Sequence, residues 1–365
     1  MTEHLDFSLA LHHRLAPAPD RSFTWSPYSV ASALGLATAA AAGDTRDELL
    51  TALRAPDPEA VRGALSPAAE LSATGSAEAP VLAVANTLWA HDGLPVREEF
   101  LRTLGQWPGS AVRTAPFRDD PDGARRLINA DVAETTRDLI PELLDPGAVD
   151  PETVAALVNA LYLKVSWREA FDAKRTAEQP FHAPGGQRAV PTMTTTRSLG
   201  YAAAGGWQAI ALPAAGGAEA VVLLPDEDLA TAEPELSAAD LDALLAQRRD
   251  QRVELFLPRF DVTAEAELTE PLGALGVRTA FTPGADFSAL TEAPLKISAI
   301  VHQAVLRVDE AGLEGAAATA AMMRLTAIVR EPDPIRVRVD RPFLFLVRHR
   351  ESGAVYFLAR VTDPS

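Results

Sequence analysis

The segment from Thr153 to Trp167 combines β-forming side chains with an almost continuously apolar pattern. A strand with one face in solvent would alternate polar and apolar residues, so this run predicts a central strand that is buried on both faces. The sequence also predicts several helices and many other strands, and these do not alternate as βαβ units. That mixture indicates an α+β fold rather than a doubly wound parallel sheet.

Helix caps, breakers and periodicity predict the other elements. Ser26 and Pro27 provide an N-cap and a first-turn proline for a helix that we expect to run to Gly43. Thr45 and Glu48 have capping-box spacing, which predicts the start of a further helix. The remaining predicted helices are Phe7–Leu15, Glu98–Leu104, Leu127–Leu143, Asp240–Arg249 and Glu267–Leu275, and the remaining predicted strands are Val81–Trp89, Trp207–Leu212, Ala218–Pro225, Val253–Phe260, Ile297–Val308, Ile335–Val339, Pro342–His349 and Ala354–Val361.

Charge and cysteine content argue against several classes of function. A formal net charge of −17 over 365 residues would repel nucleic acid and anionic membranes. Because the chain has no cysteine, it has no disulfides, thiolate nucleophile or Cys-based metal site. No apolar run approaches the ~20 residues of a membrane span, and the acidic start does not resemble a secretory signal. We therefore expect a cytoplasmic protein, with secretion left open.

Motifs for catalysis are missing from the sequence. It contains no nucleophile elbow, dinucleotide-binding fingerprint, phosphate-binding loop or zinc-protease motif. The seven histidines are scattered, and we expect structural or surface positions rather than metal binding, with His12 and His13 on a surface helix. The basic runs Arg248–Arg252 and Arg336–Arg341 are interleaved with acidic or strand residues, which favours a solvated face over a heparin-like site. We expect no enzyme activity, no metal and no cofactor.

The segment from Asp309 to Arg324 is compatible with two structures. Its alanine content favours a helix, because alanine is the best helix former. In a strand, however, successive side chains point to opposite faces and form two rows. Glu314 and Arg324 would lie in one row, and the opposite row would be uncharged, so the face that carries it could be buried in a sheet. The chain from Glu310 to Glu331 contains no proline, so the segment could join a β-ladder. The uncharged row is Leu313, Gly315, Ala317, Thr319, Ala321 and Met323.

Short sequence blocks, spread in order along nearly the whole chain, carry a family resemblance. They are SPYSVASAL from Ser26, NTLW from Asn86, VNALYLK from Val158, LPRF from Leu257, ADFS from Ala285, IVHQA from Ile300 and DRPFLF from Asp340. Together these blocks resemble those of the serpin family, the serine protease inhibitors. Residues Glu310 to Thr319 are similar to the EEGTEAAAAT hinge pattern of that family.

The resemblance implies a serpin fold, which is an α+β fold with three β-sheets, about nine helices and an exposed reactive-centre loop, here at about 310–334. It implies one domain over residues 1–365, in place of the two that length alone favours, and a monomer. A serine protease would cleave the loop and become acyl-linked to it, and the cut loop would insert into the large sheet and trap the enzyme, a known case of strand addition. The alternative is a non-inhibitory serpin-fold protein that acts by binding or as a protease substrate.

The resemblance also implies three sets of site residues. The hinge of the loop is Glu310, Gly312, Leu313, Glu314, Gly315, Ala316, Ala317, Ala318 and Thr319. The shutter, a polar cluster beneath the strands that must part, is Ser26, Ser29, Asn159 and His302. The breach, where the loop first enters the sheet, is Trp167 and Thr176. From the residues alone, Ser26 is equally a simple N-cap, and Trp167 and Thr176 are equally core and turn residues.

Two hinge positions depart from the inhibitory pattern of the family. Leu313 stands where threonine is usual and Gly315 where alanine is usual. A larger side chain overpacks a sheet interior and glycine weakens a strand, so we expect both to slow insertion without preventing it.

The reactive bond follows from the hinge-to-bond spacing that the family keeps. Sixteen residues beyond Glu310, this spacing places the bond between Thr326 and Ala327. A small β-branched residue there predicts an elastase-like or subtilisin-like serine protease as the target. Because the segment after Ala327 is longer than usual, other registers remain: Arg324 or Arg330 would predict a trypsin-like target and Leu325 a chymotrypsin-like one.

Overall fold

The computed structural model describes residues 2–16, 18–72, 80–107, 109–151, 153, 155–298, 300–313 and 333–365. Nine α-helices lie within these residues: α1 (Thr2–Leu15), α2 (Pro27–Ala40), α3 (Gly43–Ala52), α4 (Pro58–Leu65), α5 (Glu98–Leu104), α6 (Pro121–Thr135), α7 (Leu229–Ala232), α8 (Ala238–Ala246) and α9 (Thr269–Ala274). None of the described helices is both long and apolar enough to cross a membrane.

Fifteen strands complete the described structure. They are β1 (Phe23–Trp25), β2 (Val81–His91), β3 (Ser110–Ala115), β4 (Ala155–Ser166), β5 (Ala177–Ala183), β6 (Gly186–Ala204), β7 (Trp207–Pro213), β8 (Ala218–Pro225), β9 (Arg249–Pro258), β10 (Phe260–Glu267), β11 (Ile300–Val308), β12 (Gly312–Leu313), β13 (Ile335–Arg338), β14 (Phe343–His349) and β15 (Val355–Val361). One sheet has six strands in the order β10-β11-β12-β4-β2-β3. The other has nine, in the order β1-β15-β14-β8-β7-β6-β9-β13, with β5 paired to β6.

The α+β architecture is confirmed, and the described strands group into two hydrogen-bonded sheets where three were expected. Two sheets are found because β6, a strand of 19 residues, pairs with two groups of strands and so joins them into one sheet. Its first part pairs with β5 and β9, and its last residues pair with β7. The predicted central strand is β4, which lies between β2 and β11 and is almost entirely buried.

Helix α2 begins as the sequence predicts, and α3 does not. The Ser26 side chain accepts a hydrogen bond from the Ser29 amide at 3.1 Å and so caps α2. The predicted capping box at Thr45 is wrong, because α3 already begins at Gly43. Thr45 Oγ1 accepts from the Asp286 amide at 2.9 Å, and Glu48 accepts from the amide of Thr279 at 2.7 Å. Both side chains therefore hold a distant segment rather than their own helix end.

Two further predictions require correction. Helix α6 ends at Thr135 instead of continuing in helical phase to Leu143. His12 was expected at the surface and is fully buried, while His13 is exposed. The indole Nε1 of Trp25 donates to His12 Nδ1 at 3.1 Å, so the other ring nitrogen, Nε2, donates to Glu233 at 2.8 Å. His12 thus has a structural role inside the molecule.

Candidate functional site

A gap between β4 and β11 is the main feature of the six-stranded sheet. The two strands run parallel and pair over three residues only, Leu157–Asn159 with Ile300–His302. Further along, β12 lies between them and pairs antiparallel with both, through Val165 and Ser166 on β4 and Val308 on β11. Between the pairing at Leu157–Asn159 and the position of β12, the described residues of β4 and β11 do not pair with each other. A pocket there is lined by residues that include Leu161, Leu163, Val305, Arg307 and Leu313.

The two residues of β12 fit tightly between their neighbours. A β-carbon added to Gly312 would lie 2.2 Å from the carbonyl oxygen of Val165, so the close approach of the two backbones requires glycine. Leu313 is only 1% exposed and belongs to the main hydrophobic core. Leu313, which we expected to hinder insertion, is therefore already accommodated between β4 and β11.

The turn that leads into β12 is held by the side chain and backbone of Trp167. Its indole Nε1 donates to the carbonyl oxygen of Asp309 at 2.8 Å, and its amide donates to the carbonyl oxygen of Ala311 at 3.0 Å. The amide of Phe171 donates to the carbonyl oxygen of Glu310 at 2.9 Å. Three successive carbonyl groups are thus fixed by residues that follow β4.

The Glu310 carboxylate is held by two further side chains. Arg259 donates to Glu310 Oε1 at 2.6 Å, and the hydroxyl of Thr176 donates to the same oxygen. Burial alone would raise the pKa of Glu310, but these two hydrogen bonds outweigh it and hold the pKa below its usual range. The structure therefore brings Trp167, Thr176 and Glu310 together. It adds Arg259, which lies in the LPRF block and was not among the predicted site residues.

A second polar cluster lies where β4 and β11 stop pairing. Asn86, Asn159 and His302 are register neighbours on β2, β4 and β11. The Asn159 amide group donates to the carbonyl oxygen of Ser29 at 2.8 Å and to Asn86 Oδ1, and Asn86 donates to Ser32 Oγ at 2.7 Å. This network ties three strands to the first turns of α2.

His302 is the member of the cluster that bridges β11 to both β4 and α2. The amide of Ser26 donates to His302 Nε2 at 2.9 Å, so that nitrogen carries no proton. Nδ1 must then be protonated, and it donates to Asn159 Oδ1 at 3.1 Å. Burial lowers the pKa of His302 to about 3, so the ring is neutral at physiological pH.

All four predicted shutter residues therefore meet at one place. Asn86 and Ser32 complete the network and were not predicted, although Asn86 begins the NTLW block. Within the described residues no hydrogen bond reaches the Ser29 hydroxyl, whose backbone carbonyl is used instead. No described group of three or more His, Cys, Asp or Glu side chains could hold a metal ion.

The later part of the hinge and the whole reactive bond lie outside the described residues. This applies to the hinge positions Glu314, Gly315, Ala316, Ala317, Ala318 and Thr319. It also applies to the candidate bond positions Arg324, Leu325, Thr326, Ala327 and Arg330.

Comparisons with known proteins agree over nearly the whole chain. A family model described as "Serpin (serine protease inhibitor)" matches residues 2–364. The leukocyte elastase inhibitor of Bos taurus is 34% identical over 352 residues, which cover 93% of this chain and 92% of that protein. A serpin-like protein of Thermococcus kodakarensis is 31% identical over 362 residues, 98% of this chain and 84% of that one. The solved structure of uncleaved ovalbumin is similar with a TM-score of 0.85 and 25% identity, covering 100% of this chain and 99% of that chain.

Proposed function

Because this chain belongs to the serpin family, we propose that it is a serine protease inhibitor that acts as a suicide substrate and not as an enzyme. The observation that carries the proposal is β12, which lies antiparallel to both β4 and β11 at one end of the gap between them. The chain continues from Leu313 into the hinge. A released loop could therefore extend β12 along the gap, adding a strand to the sheet.

The chemistry needs only the target's own catalytic groups. The serine Oγ of the protease attacks the carbonyl carbon of Thr326, and the Thr326–Ala327 peptide bond breaks. The protease histidine transfers the serine proton to the departing amine, which becomes a new N-terminus at Ala327. Thr326 remains esterified to the protease, and insertion of the loop carries the acyl-enzyme away before water can hydrolyse the ester.

Insertion would have to open the pairing of β4 with β11 at Asn159 and His302. Separation of these strands breaks the hydrogen bond from His302 Nδ1 to Asn159 Oδ1. The breach contacts lie at the opposite end of the gap, where Trp167 and Glu310 hold the entry turn. An inserting strand would start at that fixed turn and proceed toward the shutter.

A panel of elastase-like, subtilisin-like, trypsin-like and chymotrypsin-like proteases tests the proposal. We expect a complex that survives denaturing electrophoresis with an elastase-like or subtilisin-like enzyme. Thr319→Arg should abolish the complex and leave cleavage intact, because it would bury an unpaired charge on the inward row. Glu314→Arg is the control and should still form the complex, because residue 314 is on the outward row, already carries a charge and would lie opposite the partly exposed Lys164. Equal behaviour of the two variants would contradict insertion in this register.

The position of the bond is tested by the fragment that the complex releases. Mass spectrometry should find a new N-terminus at Ala327, and Thr326→Arg should shift inhibition to trypsin-like enzymes. A new N-terminus at Leu325 or Glu331 would instead place the bond after one of the two neighbouring arginines, Arg324 or Arg330.

A non-inhibitory role is the second candidate, favoured by Gly315 in place of alanine, because glycine would weaken the inserted strand. One solved structure with the same fold is a complex of thyroxine-binding globulin with thyroxine, so a protein of this fold can act by binding. Clean cleavage by every protease of the panel, without any complex, would support this candidate against the first.

A further inference from the structure

A solvent-facing surface rich in arginine lies at the β13 end of the nine-stranded sheet. The register aligns Arg336 with Glu254 and Arg338 with Phe256 across β13 and β9. The alternate residues of both strands are buried, so these four side chains project from the other face. Arg336 and Arg338 are both exposed, and 62% of the Arg336 side chain is accessible. Arg252 lies two residues before Glu254, on the same face.

The composition of this arginine face is typical of a protein interface. The Arg338 guanidinium lies over the Phe256 ring, 4.1 Å from its centroid, and Arg336 donates to Glu254 at 2.7 Å. Three arginines accompany Glu254 and, near the start of β9, Asp250, so the face keeps a net positive charge on a chain whose net charge is −17. Arginine and partly exposed aromatic side chains are enriched in interfaces and in their energetic centres.

The chain order places this face beside the proposed reactive bond. Arg336 follows Ala327 by nine residues, which span at most ~30 Å when fully extended. A protease domain of ~220 residues has a radius of gyration of about 17 Å. The surface around the active-site cleft of an enzyme bound at Thr326–Ala327 can therefore reach β13 and β9.

We propose that the arginine face, made of Arg252, Arg336, Arg338 and Phe256, is a second docking surface for the target protease. Its partner is a serine protease with an acidic surface beside the active-site cleft. The inference rests on the proposed function, since it assumes that a protease binds the loop. The arginine face would act on the association of inhibitor and protease, because opposite charges on the two surfaces steer the approach and raise its rate.

The double variant Arg336→Ser/Arg338→Ser tests this face. The control is Arg62→Ser/Arg97→Ser, which changes the net charge by the same amount at two ion-paired arginines outside the face. The probe is a subtilisin-like protease of negative net charge, and the measurement is the second-order rate at which intact inhibitor is consumed. At low salt we expect the first variant to react about 5-fold more slowly than wild type and the control to change little. The difference should vanish at about 1 M salt, where charges are screened beyond ~3 Å.

The rate of consumption includes both complex formation and simple cleavage, so it remains measurable if the protein proves to be only a substrate. Failure to form a complex would then refute the proposed function and leave the test of the face intact. Equal rates for wild type and the first variant would overturn the inference. So would an equal loss in the control variant. Loss of retention on a heparin column without any change in rate would also overturn it, and would identify the face as a polyanion site.

Discussion

At the scale of single residues, Gly312 shows how one missing side chain lets the hinge enter the sheet. The backbone of β12 approaches β4 so closely that a β-carbon would meet the Val165 carbonyl oxygen at 2.2 Å. Gly312→Ala should therefore push β12 away from β4 and lower the free energy of unfolding by about 1–3 kcal/mol. Urea unfolding measures this loss. Gly63→Ala is the control, because nothing lies near a β-carbon there and alanine favours the helix. Equal effects of the two changes would contradict the position of β12.

His302 makes the stability of the folded protein depend on pH. Its pKa is lowered to about 3 by burial, whereas in the unfolded chain it is about 6.5. Between these values the unfolded state binds more protons than the folded state, so stability is full above pH 6.5 and falls as the pH is lowered. The loss approaches about 1.4 kcal/mol for each pH unit.

His302→Gln isolates this contribution from that of other groups. Buried His4, whose pKa burial also lowers, to about 4, titrates in both proteins and cancels in the comparison. Wild type should be the more stable protein at pH 7, and its advantage should shrink between pH 6 and pH 4. Urea unfolding at several pH values checks this. A difference that does not vary with pH would show that the folded and unfolded states bind the His302 proton equally.

At the scale of elements, β12 contributes stability in proportion to the burial of Leu313. Truncation of a fully buried leucine removes apolar contacts and leaves a cavity, so Leu313→Ala should cost about 2–5 kcal/mol. Leu101→Ala in α5 is the control, because that leucine is 46% exposed and its truncation should cost less than about 0.5 kcal/mol. The melting temperatures of the two variants compare the costs. A small effect at Leu313 would mean that the hinge lies outside the sheet.

Elements whose signals are local were predictable from the sequence. The N-cap at Ser26, the buried run of β4 and the two strands β7 and β8 depend on neighbouring residues, and each was found. Strand β6 was missed because its first part is a polar, threonine-rich segment with a proline, without apolar alternation. The capping box at Thr45 failed because tertiary hydrogen bonds recruited Thr45 and Glu48.

The candidate site was predictable only in part, for the same reason. The family resemblance pointed to Trp167, Thr176 and His302, which the structure places at the two ends of the gap. It assigned no role to Arg259 or Ser32, although both lie in the quoted blocks, because their roles depend on partners that fold beside them from distant segments. His12 was misplaced because one helical turn of sequence does not show that Glu233 and Trp25 will cover it.

At the scale of the whole molecule, we expect a further strand in the gap of the six-stranded sheet to stabilise the protein. A strand completed from the hinge makes on the order of a dozen ladder hydrogen bonds at ~1 kcal/mol each. With an unfolding entropy of ~2.1 cal/mol/K per residue, each kcal/mol shifts the melting temperature of a chain this long by about 1.3 °C. Cleavage between Thr319 and Arg330 should therefore raise the melting temperature by on the order of 15 °C.

Limited digestion by a trypsin-like protease, which can cut after Arg324 or Arg330, provides the cleaved protein, and calorimetry before and after digestion measures the shift. Ala317→Pro, cut in the same way, is the matched control. Proline has no amide hydrogen for the ladder, so the cleaved variant should gain little. If the cleaved wild type melts no higher than the intact protein, the gap does not accept the loop. If the cleaved proline variant gains as much as wild type, the added stability has a source other than a strand completed through Ala317.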